Sequence, residues 1–493
     1  MPHKFVVAIH QTTTGTRLAM VDRQGQIVAE DWRPLTPHSP HPDWLQYDPE
    51  EIWRHIEEAL PELIQQVTID VRHISAIGIA AQRDTTVLWD RRTGRPVSCA
   101  IAGPCQRSRH ICERLRAEGL EATVKQKTGL PLLPDFPATK IRWALENVPE
   151  AQERADAGEL LFGTVDTWLA YNLTGGRAHI TDHTHACRTL LYNLETKTWD
   201  AELLHAMQIP GDVLPAIRSS SEAYAESSGT RNVPAGLLLG GMAANGQAAL
   251  FGQGCHFRGS ANCTYGRACQ ILLNTGQDAV APTGGSAITT ACGPAGEPIY
   301  ALEAVIPSGA LVVEWLRHPM GLIANAEESA EVARSVPDSG GVCFVPALTG
   351  LGPPHQESDT RGTVVGLKPD TSPAHLVRAA LEGIAHQCVD ALETMAEEVG
   401  VELAALRADG PASGNDFLMQ FQADLLNLPV EPAADPRTEL LGAAFLAGLA
   451  SGFWLDAVEL AGVVRTSQAF RPQLSPVERG RARQRWREAL GVI

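Results

Sequence analysis

A chain of 493 residues, 44% hydrophobic and 20% charged, is too long for one simple core and too apolar for disorder, so two or three globular domains are predicted. A formal net charge of −17 disfavours nucleic acid and anionic membranes as main partners. No apolar run reaches transmembrane length, the N-terminal MPHKFVVAIHQTT lacks a signal-peptide pattern, and the ten cysteines form no C-x-x-C pair. Cys105 with Cys112, and Cys263 with Cys269, lack zinc-like ligand spacing, so a reduced, cytoplasmic protein with no metal cluster is expected.

In chain order, residues 5–9 read as a buried strand and 18–21 as its antiparallel partner. Between them lies His10-Gln11-Thr12-Thr13-Thr14-Gly15-Thr16-Arg17, whose hydroxyls and N–H groups form a concavity suited to phosphate oxygens. Taken alone, it reads more simply as a Thr/Gly-rich hairpin. Residues 27–32 suit a third strand and 34–42 a loop. Asp48-Pro49-Glu50-Glu51 then opens a helix: Asp48 caps, Pro49 suits the first turn, and the glutamates favour its positive end. Ile52, Ile56, Ala59, Leu60 and Leu63 supply its apolar face. Strands are predicted over 74–80 and 87–89, separated by Gln82-Arg83-Asp84-Thr85-Thr86. The alternation of strand and helix makes this half mixed α/β.

LLFGTVDTWL at 160–169 reads as a strand, a turn and a helix start at Asp166, and LLLGGMAANGQAALFGQG at 237–254 as strand, turn and helix. ANCTYGRACQILLN at 261–274 reads as a second hairpin turning at Gly266, so the second half begins as the first did. The boundary is predicted near 251–258, giving domains 1–250 and 251–493. Helices follow over 310–316, 374–398 and 413–426, with Glu382, Gln387 and Asp390 on the polar side of the middle one. ADGPASGN at 408–415 is a strand-to-helix turn with Asn415 on the first helical turn, a plausible nucleotide site; a structural connection explains it equally well. The basic ERGRARQRWREAL segment is expected to be a solvated surface helix. It is the one feature pointing to nucleic acid or a scaffold role.

These pieces resemble the FGGY family of carbohydrate kinases, most closely its glycerol kinases, along essentially the whole chain. The resemblance rests on WLQYDPEEIW at 44–53, GELLFGTVDTWL at 158–169, TDHTHACRTLLYN at 181–193, QAALFGQ at 247–253, VPALTGLGPP at 345–354, VRAALEGIAHQ at 377–387, NDFLMQFQADLL at 415–426 and LGAAFLAGLASGFW at 441–454. It implies an α/β, two-domain actin-like ATPase (ribonuclease H-like) fold, with ATP and a polyol meeting in an interdomain cleft. Phosphoryl transfer there needs Mg²⁺ on carboxylates, donors round the phosphates, and a base for the hydroxyl proton.

The chemical positions depart from the family pattern. Its first turn, Asp-Gln-Gly-Thr-Thr, carries the metal carboxylate; here His10 and Thr12 replace the Asp and the Gly, while Thr13, Thr14 and Arg17 remain as phosphate donors. Neutral imidazole is a poor ligand for hard Mg²⁺. The family's base, the Asp of Gly-Asp-Gln-Gln, reads Asn245, which can orient a hydroxyl but not deprotonate it. On the polyol side, Arg83 is kept and Asp84 stands for a glutamate. Gly103 replaces an indole, Asp135 a tyrosine and Gln270 a phenylalanine, so the pocket is expected to be open and polar and to fit glycerol badly. In the second phosphate turn Arg267 replaces a threonine and Ala268 a glycine, which lets an arginine fill the terminal-phosphate space or bind an anion. The adenosine loop reads Gly410-Pro411-Ala412, with Asn415 retained. ATP and Mg²⁺ follow from the family, and both are put in question by these positions.

The expectation is a glycerol kinase-like pseudokinase or redirected member, binding a polyol, sugar or anion, with no nucleic-acid or membrane partner and compatible with a homo-oligomer. The alternative is an active ATP-dependent kinase for a polyol or sugar other than glycerol, using Asp84 or Asp135 as its carboxylate.

Overall fold

The computed structural model describes residues 4–230 and 232–492. The chain divides into two compact units. The first takes the chain through His256 and adds Thr289–Tyr300 and Glu439–Val464; the second takes Phe257–Ile288, Ala301–Thr438 and Arg465 onward.

The first unit is organised on a mixed six-stranded sheet in the order Ser221–Ser228, Ala235–Ala244, Ile74–Ala81, Phe5–Gln11, Gly15–Asp22, Ile27–Pro34. The strands Ala235–Ala244, Ile74–Ala81 and Phe5–Gln11 are parallel, and the N-terminal hairpin is antiparallel with Ile9 opposite Leu18, as its two apolar runs predict. Val7, Ile9, Leu18, Met20, Ile77 and Ile79 face one core with Ile52, Ile56 and Leu60 of the helix Pro49–Val67. Val6, Ala8, Ala19, Val21, Ala76 and Ala80 face the other, with Ala443, Leu446 and Ala447 of the helix Thr438–Ala450. Burial on both faces is why these strands read as continuous apolar runs rather than alternating ones. The Pro49 helix starts as its sequence dictates: the Asp48 side chain accepts the Glu50 N–H at 2.9 Å, and Pro49 occupies the first turn.

The second helix lies very close to the sheet because the strands carry glycines beneath it. A Cβ on Gly78 would sit 2.0 Å from the Ala443 carbonyl oxygen, and one on Gly241 2.5 Å from the Ala447 nitrogen.

A second six-stranded sheet has the order Ala287–Cys292, Pro298–Ile306, Cys269–Gly276, Ala261–Tyr265, Leu406–Asp409, Val430–Pro432. The hairpin predicted over 261–274 forms, with Tyr265 opposite Cys269. The helix Pro373–Val399 is more enclosed than its polar residues suggest: His386 and Gln387 are buried among apolar neighbours. The C-terminal helix Pro476–Leu490 also departs from the sequence reading. Arg481, Arg485 and Arg487 are solvated, Arg479 and Arg483 are only partly exposed, and Ala482, Trp486 and Ala489 are buried. Trp486 stacks on His386 at 5.0 Å and donates its indole N–H to Asp390 at 2.6 Å, while Arg483 pairs with Asp390 at 2.7 Å. This helix is a docked part of the second unit's core.

Candidate functional site

In the first unit, the three parallel strands end at one level. His10 lies opposite Ala80, which lies opposite Ala243; one step further, Gln11, Ala81 and Ala244 are in register. The chain therefore delivers His10, Gln82 and Asn245 side by side at one sheet end, where α/β folds place ligands. Several polar atoms there are buried without a hydrogen-bond partner: His10 Nε2, both amide atoms of Gln82, the Thr85 and Thr86 hydroxyls, Asn245 Oδ1 and Gln247 Oε1. Buried polar groups are ordinarily satisfied, so these atoms are available to polar atoms of water or a ligand.

Burial, reinforced by the Arg17 guanidinium, pushes the His10 pKa down to about 4. The imidazole is neutral at physiological pH. Asn245 donates through Nδ2 to the Gln11 carbonyl at 3.4 Å, which leaves its oxygen facing the site. The hairpin turn is closed on itself by Thr12. Its hydroxyl accepts the N–H groups of Thr14 at 3.2 Å and Gly15 at 3.1 Å, so two donors that a phosphate would use are already engaged. Thr13 and Thr14 are exposed. Arg17 pairs with Glu30 at 3.0 Å and lies over the Trp32 ring.

The polyol-side residues form a second layer. Asp84 takes a positive φ of 69°, a conformation that Asp tolerates better than most residues with a side chain. Its Oδ1 lies 3.6 Å from Arg188 Nε, and Arg188 itself rests on the Phe136 ring. A Cβ on Gly103 would make only ordinary van der Waals contact with the Asp84 Cβ, at 3.5 Å. Asp135, half-buried, has its pKa raised by burial and by the nearby Asp84. Arg83 is half-buried in the same loop.

Lys140, absent from the sequence-based set, ties these loops together. Its fully buried ammonium donates to the backbone carbonyls of Asp84 and Gly103, both at 2.9 Å, and of Asp135. Burial pulls its pKa down to about 8 although Asp84 and Asp135 act the other way. The only sequence signal was its place in DFPATK, one helical turn after Phe136. A second missed group is the buried trio Asp166, Asp182 and His185. His185 Nδ1 lies 2.7 Å from Asp182 and 3.5 Å from Asp166, while Thr181 holds Asp166 and Ser220 and Thr184 hold Asp182. Burial pulls the His185 pKa down, but the two carboxylates outweigh it and raise it overall. With its oxygens taken by these partners, the trio is a closed ionic network rather than a cation site.

The second unit carries the remaining predicted residues. Arg267 sits exposed at the tip of the 261–276 hairpin, 3.9 Å from Glu314. The tip is anchored by Ala310 and Leu311, whose N–H groups donate to the carbonyls of Gly266 and Arg267. Gln270 donates to the buried Glu303 at 2.6 Å. Gly410 takes a φ of 82° and passes so close to Tyr265 that a Cβ would lie 2.9 Å from its backbone. Asn415 is the N-cap of the helix Asp416–Leu426 rather than part of its first turn, because Pro411–Gly414 form a separate 3₁₀ turn. Its oxygen accepts the Leu418 N–H and its amide donates to Ser329 at 2.9 Å. A cavity of about 940 Å³ opens beside this turn, lined by Gly410, Pro411, Ser413, Phe417, Phe421 and Phe470 among others; Ala412 and Asn415 do not line it.

The FGGY family of carbohydrate kinases matches with its N-terminal domain over residues 5–252 and its C-terminal domain over 261–451. A glycerol kinase of Carboxydothermus hydrogenoformans is 44% identical over 490 residues, covering 99% of this chain and 98% of the relative. One of Stenotrophomonas maltophilia is 45% identical over 492 residues, covering 100% and 99%. Among solved structures, Plasmodium falciparum glycerol kinase with ADP superposes with a TM-score of 0.93 at 30% identity, covering 100% of this chain and 99% of that one. Gluconate kinase from Lactobacillus acidophilus, 23% identical, shares the fold with a TM-score of 0.87, covering 99% and 97%. The α/β architecture expected from the sequence, a two-domain actin-like ATPase fold, is the fold of this chain. No helix among the described residues is long and apolar enough to cross a membrane.

Proposed function

The chain belongs to the FGGY family of carbohydrate kinases, and we propose that it is a glycerol kinase-like member that keeps a small-molecule site while its phosphoryl-transfer chemistry is lost or redirected. The observation that carries this reading is the sheet end where His10 and Asn245 stand on either side of Gln82 with no carboxylate between them. An imidazole with a pKa of about 4 is uncharged, and an amide takes up no proton in the working range, so neither a hard-metal ligand nor a base is supplied there. These residues do not fit Mg²⁺. The orphaned polar atoms of His10, Gln82, Asn245 and Gln247, with Arg83, Asp84 and Asp135 beside them, support a polar polyol, a sugar or an anion as the ligand. The closed Thr12 turn, the Arg17–Glu30 pair and Arg267 at Glu314 weigh against a tightly held triphosphate. Nucleotide binding through Thr13, Thr14, Gly410, Ala412 and Asn415 is the family's pattern and the first property to measure. Ten free cysteines support a reducing, cytoplasmic setting.

A second reading is favoured by the full-length similarity to proteins named glycerol kinase: an ATP-dependent kinase for another polyol or sugar, with Asp84 or Asp135 as its carboxylate. Purified protein incubated with ATP, Mg²⁺ and a panel of polyols and sugars separates the two. The first reading expects no substrate-dependent ADP release. It also expects at least one panel member to raise the melting temperature, since a ligand at 100 times its Kd adds about 2.7 kcal/mol. Substrate-dependent ADP release abolished by Asp84→Ala or Asp135→Ala establishes the second reading and overturns the first.

A further inference from the structure

Three buried thiols converge in the second unit at the base of the hairpin tip that carries Arg267. Cys263 lies in the strand Ala261–Tyr265, Cys269 opens the strand Cys269–Gly276, and Cys388 comes from the middle of the helix Pro373–Val399. All three are buried and free of disulfides, and their sulfurs lie within 4.8 Å of one another. Cys263 pairs with Ile271 and Tyr265 with Cys269, so the two strand cysteines are diagonal neighbours on one face of the hairpin. The Cys269 sulfur fits because residue 309 has no side chain: a Cβ there would lie 2.7 Å from it.

A buried cysteine is usually a small apolar side chain with a weak S–H, and packing explains any one of these. Packing does not account for three sulfurs, from three segments, meeting round one point. We propose that the trio is a binding site for a thiophilic trivalent ion of the arsenite class.

Three properties of the site select that class. The donors are thiolates, which choose soft ions. Among the described residues no fourth His, Cys or carboxylate joins the group, so the ion must accept three ligands, which structural zinc does not. The groups that chiefly influence these thiols are one another and Tyr265, with no lysine or arginine among them. A residual charge would therefore be buried without a partner, at high cost. Three thiolates leave a monovalent ion with two negative charges and a divalent ion with one; they neutralise a trivalent ion. Arsenous acid, As(OH)₃, reacts with three thiols to form three S–As bonds and release three waters, with no change of oxidation state and no charge left behind. Hydrogen bonding from Cys263 and Cys388 lowers the Cys269 pKa, which favours the thiolate, the reactive form. Once bound, the ion fastens the hairpin tip that carries Arg267 to the central helix of the second unit.

The probe is arsenite, added to the reduced full-length chain and read by native mass spectrometry and by sulfur-to-arsenic charge-transfer absorbance. One arsenic per chain, with the mass of arsenic less three hydrogens, is expected. Binding should be lost in Cys388→Ala and in Cys269→Ala but kept in Cys112→Ala, a buried cysteine of the first unit. Absence of binding, binding that survives both cluster substitutions, or zinc that displaces arsenite stoichiometrically overturns the proposal. Should the cluster variants fail to fold, hydrogen exchange on the wild type decides: arsenite must slow exchange over residues 263–269, and unchanged exchange there counts against the site.

Discussion

Lys140→Met tests whether the buried ammonium carries its charge at a cost. The fall of its pKa from the ordinary 10.5 to about 8 corresponds to about 3 kcal/mol of lost preference for the charged form. Against that stand three charge-assisted hydrogen bonds to the carbonyls of Asp84, Gly103 and Asp135, each worth about 1.5–3 kcal/mol. The balance favours keeping the lysine by a few kcal/mol at neutral pH, so the variant is expected to be less stable. The pH dependence is the sharper readout. Because the folded pKa lies below the unfolded one, the unfolded chain binds more protons between about pH 8 and 10.5, and stability rises with pH through that window. The variant lacks this group, so the stability difference between wild type and Lys140→Met should grow by up to about 1.4 kcal/mol per pH unit there. Urea denaturation of both proteins at a series of pH values measures it, with the other titrating groups cancelling in the difference. A difference that stays flat, or shrinks as pH rises, refutes the reasoning: it would mean that Asp84 and Asp135 outweigh burial.

Restoring both carboxylates, with His10→Asp and Asn245→Asp together, should create glycerol-dependent ADP release, since a positioned base alone contributes about 10²–10⁴-fold. A coupled assay that shows no gain places the lesion in the polyol pocket instead. Gly78→Ala should cost about 1–3 kcal/mol by driving the helix Thr438–Ala450 off the sheet, read as a lower urea midpoint. Gly414→Ala, with nothing within 4 Å of the added carbon, should change stability by less than about 0.5 kcal/mol. The raised His185 pKa means that its charge stabilises fully below the unfolded value of about 6.5 and is lost as pH climbs through the folded one. The stability advantage of wild type over His185→Gln should therefore shrink towards alkaline pH; a constant advantage would show that His185 is neutral.

What could be read from the sequence depended on how local its cause was. Asp48 and Pro49 announce a helix start because a cap acts within four residues. Continuous runs such as FVVAI announce a strand buried on both faces. The His10 and Asn245 positions were legible through the resemblance to the FGGY kinases, whose motifs carry carboxylates there, and the structure sets each at the end of a strand. Lys140, His185 and Cys388 were not, since each acquires its role only when segments far apart in the chain are brought against it. The C-terminal helix lies between these cases. Its charges dominated the reading, yet Ala482, Trp486 and Ala489 recur at helical spacing and mark the buried stripe. Asn415 was misplaced by one position because a 3₁₀ turn and an α-helix share the same residue preferences at their junction.

The helix lying on Gly78 and Gly241 reaches the sheet from the far end of the polypeptide. A ribosome delivers the strands of the first unit early, and Ala248 and Phe251 soon after, but the larger part of the layer over their alanine face emerges only after residue 438. Until then Val6, Ala8, Ala19 and Ala80 are left without most of their partner layer, and the nascent unit presents a partly uncovered apolar sheet for most of translation. Chains halted before residue 439 are thus expected to engage holdase chaperones and to aggregate when released, whereas chains extending past Val464 acquire protease resistance in the N-terminal half in a single late event.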